Sequence, residues 1–353
     1  MNSLENVNIV SLEPLPTPAQ IKQECPINDT VINTVSSARA SIKKILNWED
    51  YRLMVVVGPC SIHDEALALD YAKRIKELSA ELRDNFFIIM RVYFEKPRTN
   101  IGWKGFINDP YLDGTFRIDE GLRRARSLMV KISEMGVPIA TEVLDPFTPQ
   151  YLDDLISWAA IGARTVESQT HREMASGLSM PVGFKNSTDG TVSVAVNALK
   201  TVANPHHFLG MDENGRCCVC STKGNSLGHI VLRGGTRPNY DCVSVDECEK
   251  ELIESGLPKN IMIDCSHGNS FKQFALQGVV LNRCITQIFE GNTSFIGFML
   301  ESNICEGNQK MSTPENLKYG VSITDACIGW DETVELLRNA NMRLGDVLKN
   351  RRK

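Results

Sequence analysis

Leu53-Met54-Val55-Val56-Val57-Gly58-Pro59-Cys60-Ser61 is an unbroken apolar run that stops on residues able to do chemistry. Buried parallel strands read this way, because both of their faces are covered. The same pattern returns along the chain. Phe86–Met90 ends in Arg91, Val137–Thr141 in Glu142, Ile161–Ala163 in Arg164 and Met180–Phe184 in Lys185. His229–Leu232 ends in Arg233, Ile261–Ile263 runs through Asp264 to His267, and Phe295–Leu300 ends in Glu301. Eight such runs predict an α/β fold, a (β/α)8 TIM barrel with its chemistry at the C-terminal ends of the strands.

Helical stripes lie between the runs. Ala66, Leu69, Ala72, Ile75, Leu78 and Leu82 repeat at three and four residues, as do Leu122, Ala125, Met129, Ile132 and Met135. Pro149 suits a helix start before Leu152, Leu155 and Ile156. Val192 to Ala203, Val245 to Leu252, Leu281 to Ile288 and a closing stretch from Glu332 to Leu348 complete the alternation. Residues 1–40 show no long periodic run and are broken by Pro14, Pro16, Pro18 and Pro26. They read either as a disordered tail or as an arm, over about 1–48, docking through Ile9, Val10, Leu12, Leu15 and Ile21. The barrel is then expected over 49–353. Two connections exceed what a helix needs. Residues 93–117 form a long loop of the kind usually kept for function. Within 204–227, Asn214-Gly215 between two short runs signals an inserted hairpin at about 208–223.

Composition narrows the function. The 353 residues, 42% hydrophobic and 23% charged, suit a globular enzyme. A net charge of −5 argues against general nucleic-acid affinity but leaves room for a local basic pocket. No apolar stretch is long enough for a membrane span, and Met1 to Asn6 lacks the features of an export signal. Eleven irregularly spaced cysteines then read as reduced thiols in a cytoplasmic protein.

Arg91, Lys96, Arg98, Arg164, Lys185 and Arg233 all fall at or just after predicted strand ends. Cations gathered on one face of an acidic protein repel one another unless an anion offsets them. Arginine forks match phosphate and carboxylate, so the substrate is expected to carry several negative charges. Cys60, His267, Glu301 and Asp325 also fall on that face. Thiolate, imidazole and carboxylates together suit a borderline divalent transition metal. Other dense stretches carry less. Cys217-Cys218-Val219-Cys220 has no second cluster at matching spacing, and His206-His207 lies in the hairpin region. Gly224-Asn225-Ser226-Leu227-Gly228 lacks a dinucleotide context, and no nucleophile elbow is present.

At these residues the chain resembles the type I 3-deoxy-D-arabino-heptulosonate-7-phosphate synthases. The resemblance runs through Gly58-Pro59-Cys60-Ser61-Ile62-His63-Asp64, Arg91-Val92-Tyr93-Phe94-Glu95-Lys96-Pro97-Arg98-Thr99 and Gly102-Trp103-Lys104-Gly105. It continues in Ile161-Gly162-Ala163-Arg164-Thr165, Pro181 to Asn186, Leu232-Arg233-Gly234-Gly235, Asp264 to Asn269 and Thr324-Asp325-Ala326-Cys327. One nearby departure is Asn100, where related chains often carry Thr or Val.

The resemblance implies condensation of phosphoenolpyruvate with D-erythrose 4-phosphate, opening the shikimate pathway. It implies a phosphoenolpyruvate cradle of Arg91, Lys96, Arg164, Lys185 and Arg233 with the backbone of Gly162 and Ala163. Lys96, Pro97, Arg98 and Thr99 would meet erythrose 4-phosphate. Cys60, His267, Glu301 and Asp325 would hold Mn²⁺, Fe²⁺ or Co²⁺, with Zn²⁺ possible. Carbon 3 of phosphoenolpyruvate attacks the aldehyde carbon, water adds at carbon 2, and the hemiketal phosphate collapses by carbon–oxygen cleavage. Lys96 and His267 are candidates to protonate the alkoxide, and Glu142 to orient the water. Without its metal, Cys60 would be an exposed, oxidation-prone nucleophile with Cys327 as a possible resolving partner. The family also implies a homo-oligomer, dimer or tetramer, and feedback by an aromatic amino acid. Its effector site would be lined by Gln150, Leu178, Ser179, Phe208 and Gly210. Glycine at position 210 favours tyrosine, and serine phenylalanine, because a missing side chain leaves room for a phenol hydroxyl. A phenylalanine-inhibited form stays open. So does a related phosphoenolpyruvate-dependent synthase such as that making 3-deoxy-D-manno-octulosonate 8-phosphate, although Lys96-Pro97-Arg98-Thr99 speaks against it. A silent, binding-only barrel is disfavoured by the intact ligand and cation sets.

Overall fold

The computed structural model describes residues 4–98 and 102–351. Its strands are β1 (Leu53–Gly58), β2 (Phe86–Arg91), β3 (Ile139–Glu142), β4 (Trp158–Ile161), β5 (Val182–Lys185), β6 (His207–Met211), β7 (Cys217–Ser221), β8 (Gly228–Leu232), β9 (Ile261–Asp264) and β10 (Phe295–Glu301). Eight of them close into a parallel barrel in the order β1-β10-β9-β8-β5-β4-β3-β2. β6 and β7 pair antiparallel as a separate hairpin, with Asn214-Gly215 in its turn. The apolar runs therefore mark the barrel strands, with three shifts. Pro138 and Pro181 lack a ladder donor, and β3 and β5 begin after them, at Ile139 and Val182. β4 lies three residues earlier than expected, at Trp158–Ile161, which puts Gly162, Ala163 and Arg164 in the turn beyond the strand. Ala159 and Ala160 gave little apolar signal there.

The helices are α1 (Pro18–Glu24), α2 (Asp29–Leu46), α3 (Glu65–Glu81), α4 (Ile118–Glu134), α5 (Thr148–Leu152), α6 (Gln169–Gly177), α7 (Ser193–Val202), α8 (Cys242–Glu254), α9 (Gln277–Phe289), α10 (Trp330–Leu344) and α11 (Val347–Asn350). Gly345, at φ 33°, breaks the closing stretch into α10 and α11. Three helices were not expected. α1 is only seven residues long, opened by Thr17 and Pro18, and buries just Pro18 and Ile21. α6 is short and buries only Met174, Ala175 and Ser176, so its stripe is faint. α2 overturns the reading of residues 1–40 as lacking a periodic run. It is capped by Asn28 and buries Val31, Val35, Ala38, Ile42, Ile45 and Leu46. Interspersed Thr, Ser and Asn, which are weak helix formers, hide that stripe.

The apolar core divides in two. One part lies between strands and helices. The other fills the barrel with Met54, Val56, Ile89, Trp158, Val231, Met262 and Met299, and includes Ile42, Ile45 and Leu46 of α2. The end of α2 thus plugs the barrel floor, where Asn260 Nδ2 donates to Leu46 O at 2.9 Å. Residues 4–15 stay exposed. No helix among the described residues is long and apolar enough to cross a membrane.

Candidate active site

Strand register assembles the site at the opposite end from that plug. Gly58 of β1 lies beside Glu301 of β10, so Cys60, two residues on, meets the Glu301 carboxylate. Met299 of β10 lies beside Asp264 of β9, which brings His267 to the same rim. Asp325 arrives from the loop after β10, where Thr324 Oγ1 lies 2.7 Å from Ser61 Oγ. Donor atoms of Cys60, Glu301 and Asp325 all lie within 4.8 Å of one another, Cys60 Sγ being 3.6 Å from Asp325 Oδ2.

His267 stands slightly apart, with Nε2 3.9 Å from Glu301 Oε1. Its Nδ1 lies 2.9 Å from Asp264 Oδ2. That contact favours the proton on Nδ1 and leaves the Nε2 lone pair facing the cluster, the arrangement that orients metal-binding histidines. The donor set therefore fits a borderline divalent metal: one sulfur, one imidazole nitrogen and two carboxylates. Asp264 is fully buried and accepts from Lys185 Nζ at 3.0 Å and Ser266 Oγ at 2.7 Å. Burial alone would raise its carboxyl, but His267 and Lys185 hold it well below the usual carboxylate range.

The cations converge on the same mouth. A cavity of about 660 Å³ is lined by Lys96, Pro97, Arg98, Glu142, Ala163, Arg164, Lys185, Arg233, His267, Glu301 and Asp325, among others. Arg91 lies beneath it, stacked on the Tyr93 ring with its guanidinium 4.0 Å from the centroid. Arg91 and Lys185 already have carboxylate partners, Glu301 and Asp264. Arg164 and Arg233 have no carboxylate within salt-bridge distance among the described residues. Burial lowers the Arg233 guanidinium from its ordinary value, opposed by Asp264 and reinforced by Arg164. Two close guanidinium groups without counter-ions make an anion site. A Cβ on Gly162 would meet the Glu142 carboxylate, which would have to swing aside, so glycine here lets Glu142 lie against the turn beyond β4. Thr99 lies outside the described residues.

Lys96 Nζ donates to Cys60 Sγ at 3.1 Å and to Cys60 O at 3.2 Å. Burial, then Glu301, push the Cys60 thiol up to about 11, with Lys96 opposing. Cys60 is 0% exposed, and so is Cys327. The expectation of an exposed nucleophile at Cys60 is therefore corrected on exposure: both sulfurs are buried. The sequence reading also missed contributors. Asp264 was legible as a polar strand end, yet its place between Lys185 and His267 was not. Lys272, Thr188 and Asn308 line the cavity from loops that carry no periodic signal.

The expected effector residues lie elsewhere. Phe208 and Gly210 share one face of β6, with Cys220 and Cys218 of β7 across from them. Ser176 Oγ and Thr222 Oγ1, 2.7 Å apart, fasten the hairpin base to the end of α6, just before Leu178 and Ser179. Ser179 Oγ donates to Asp153 Oδ2 at 2.8 Å, close in sequence to Gln150 of α5. The arm joins the same region, as Ala19 N donates to Glu213 O at 2.8 Å and Tyr151 Oη to Pro16 O at 2.9 Å. His206 and His207 are engaged locally, by Thr201 O and Ser221 Oγ, both at 2.8 Å.

The profile of the DAHP synthetase I family matches residues 22–338. A Tyr-sensitive phospho-2-dehydro-3-deoxyheptonate aldolase of Escherichia coli (strain K12) is 52% identical over 351 residues, covering 99% of each chain. A Phe-sensitive one from the same organism is 50% identical over 348 residues, covering 99% of this chain and 98% of that protein. The solved structure of a phospho-2-dehydro-3-deoxyheptonate aldolase from Francisella tularensis SCHU S4 superposes with a TM-score of 0.94. It is 47% identical and covers 98% of this chain and 100% of that one.

Proposed function

The chain belongs to the DAHP synthetase I family, and from that premise we propose how the residues of its barrel mouth divide the work. The enzyme condenses phosphoenolpyruvate with D-erythrose 4-phosphate and water, giving 3-deoxy-D-arabino-heptulosonate 7-phosphate and phosphate, the first step of the shikimate pathway. One observation carries the division of roles: a thiol and two carboxylates within 4.8 Å of one another stand beside the cations at the C-terminal rim.

Cys60, His267, Glu301 and Asp325 hold a divalent transition metal, Mn²⁺, Fe²⁺ or Co²⁺, with Zn²⁺ a further candidate. When bound, such an ion supplies Lewis acidity toward a carbonyl oxygen. Arg164 and Arg233 take the phosphate of phosphoenolpyruvate, and Lys185, Lys96 and Arg91 its carboxylate, with the Gly162 and Ala163 backbone closing the cradle. Lys96, Pro97, Arg98 and Thr99 face erythrose 4-phosphate. His267 has one ring nitrogen committed to Asp264 and the other turned to the ligand cluster. That leaves the Lys96 ammonium to protonate the alkoxide. Glu142, against Gly162, orients the water that adds at carbon 2.

Product formation that needs both substrates, is abolished by a chelator and returns with Mn²⁺ is the expected result. Cys60→Ala should lose metal and turnover yet stay folded. Full activity of a metal-free preparation would overturn the metal assignment.

The second part of the reading is feedback. Gln150, Leu178, Ser179, Phe208 and Gly210 line an aromatic amino-acid site, and tyrosine inhibits ahead of phenylalanine, with tryptophan weakest. Glycine at position 210 and the identity with a Tyr-sensitive relative support this. Leu209 and Val219 pair across the hairpin at 87% and 70% exposure, and Val10 and Leu12 of the arm are also bare. A second copy of the chain, in a dimer or tetramer, covers them. Eleven free cysteines support a reducing cytoplasm.

A further inference from the structure

Cys217-Cys218-Val219-Cys220 places three thiols on one short strand, and the condensation uses none of them. Residues two apart on a strand share a face. Cys218 and Cys220 do so with their sulfurs 3.8 Å apart, both half-buried. Cys217 alternates to the other face and is exposed. The hairpin ladder sets Cys220 directly across from Phe208, and Cys218 directly across from Gly210. A Cβ on Gly210 would lie 2.3 Å from Cys220 Sγ, so this thiol occupies the space over the glycine. The pair is therefore built into the face that carries two of the residues assigned above to the effector.

We propose that Cys218 and Cys220 form a redox-active dithiol whose closure to a disulfide gates the effector site. The proposal rests on the effector reading and goes beyond it. The oxidant is a hydroperoxide. One sulfur attacks a peroxide oxygen, the O–O bond breaks, and water or an alcohol leaves. The second thiol attacks the resulting sulfenic sulfur, the S–S bond forms, the S–O bond breaks, and its proton departs with hydroxide as water. Two electrons pass from the sulfurs to the peroxide, and a thiol reductant reverses the change.

Backbone geometry makes the bond feasible and labile. A strand rise of about 3.2–3.4 Å per residue puts the two Cα atoms about 6.4–6.8 Å apart, at the long end of the disulfide range. Closure shortens β7 locally, and a strained, accessible disulfide is the readily reduced kind. Shortening draws Cys220 Sγ off Gly210 and buckles the strand opposite Phe208.

The experiment uses the metal-loaded full chain. It is treated with stoichiometric hydrogen peroxide, quenched with catalase, digested and mapped by mass. In parallel, tyrosine is titrated, with activity normalised to the uninhibited sample. A Cys218–Cys220 disulfide is expected. The tyrosine concentration for half inhibition should rise at least about fivefold, the low end of ordinary coupling between sites. Dithiothreitol should reverse both, and Cys218→Ser should keep tyrosine sensitivity but lose its response to peroxide. Free thiols at 218 and 220, or pairing through Cys217, would overturn the proposal. So would a mapped disulfide that leaves inhibition unchanged in an enzyme that tyrosine inhibits when reduced. Insensitivity of the reduced enzyme to tyrosine, phenylalanine and tryptophan would instead overturn the effector reading and the gating built on it, while the mass map still decides the disulfide.

Discussion

Arg91 Nη2 lies 3.1 Å from Glu301 Oε1, and both side chains are almost wholly buried. A cation of the substrate cradle and a carboxylate of the metal cluster are thus one ion pair. Arg91→Ala strands a buried carboxylate, at a cost of about 3–5 kcal/mol of stability. Mn²⁺ should recover more of that loss than it adds to the parent, because the carboxylate has lost its arginine partner and a bound cation offsets its charge. Phosphoenolpyruvate binding should weaken at the same time. Melting curves with and without Mn²⁺ test this. An equal metal-induced shift in variant and parent would show that the two sites are independent.

Arg233 separates binding from folding more cleanly than Lys185 does. Lys185→Ala leaves Asp264 without one of its partners, so affinity and stability should both fall. Arg233→Ala breaks no salt bridge and should weaken phosphoenolpyruvate by about 2–5 kcal/mol with little change in melting temperature. Lys223, exposed beyond the hairpin, should matter little to catalysis when changed to alanine. Calorimetric titration of the three variants decides it. Parent-like affinity in all of them would dismiss the strand-end cations as a substrate site.

A source of pH-dependent stability lies inside the barrel. Trp158 Nε1 donates to His229 Nε2 at 3.1 Å, and burial lowers the His229 imidazole to about 4. In the unfolded chain this group titrates near the ordinary histidine value of about 6.5. The unfolded state therefore binds the extra proton first as pH falls. The stability present above about pH 6.5 is lost toward pH 4, by roughly 3 kcal/mol from this group. Denaturant midpoints at pH 7 and pH 4.5 should differ less in His229→Asn than in the parent. An unchanged difference would mean that His229 is not the group responsible.

Gly210→Ser should shift effector preference toward phenylalanine or relieve inhibition, with little change in turnover. The structure adds a condition: the new Cβ meets Cys220 Sγ at 2.3 Å, so the thiol must rotate away. Cys220→Ala should make the serine easier to accommodate and restore any stability that Gly210→Ser loses. Inhibition curves for the three aromatic amino acids give the answer. Inhibition by tyrosine that is identical in Gly210→Ser and parent would remove Gly210 from the site.

The amino-acid sequence by itself determined the barrel, because strands buried on both faces must be apolar throughout and must end where water begins. It determined the chemistry of the rim for the same reason, since Arg91, Glu142, Lys185 and Glu301 are the last residues of their strands. Local signals were weaker where tertiary contacts stabilise what propensity does not. α2 forms from Thr-, Ser- and Asn-rich sequence because its apolar stripe is buried against α4 and the barrel floor. β4 begins at Trp158, whose ring reaches over Gly183 of β5 to His229 of β8, a contact that two alanines could not announce. Only the tertiary structure decided which charges are paired. Lys185 with Asp264, Arg91 with Glu301 and Lys96 with Cys60 are neighbours through strand register and loop closure, between residues 36 or more apart in sequence. Sequence spacing specifies which faces side chains occupy, but the distance between two charges on different strands is set by how the barrel closes.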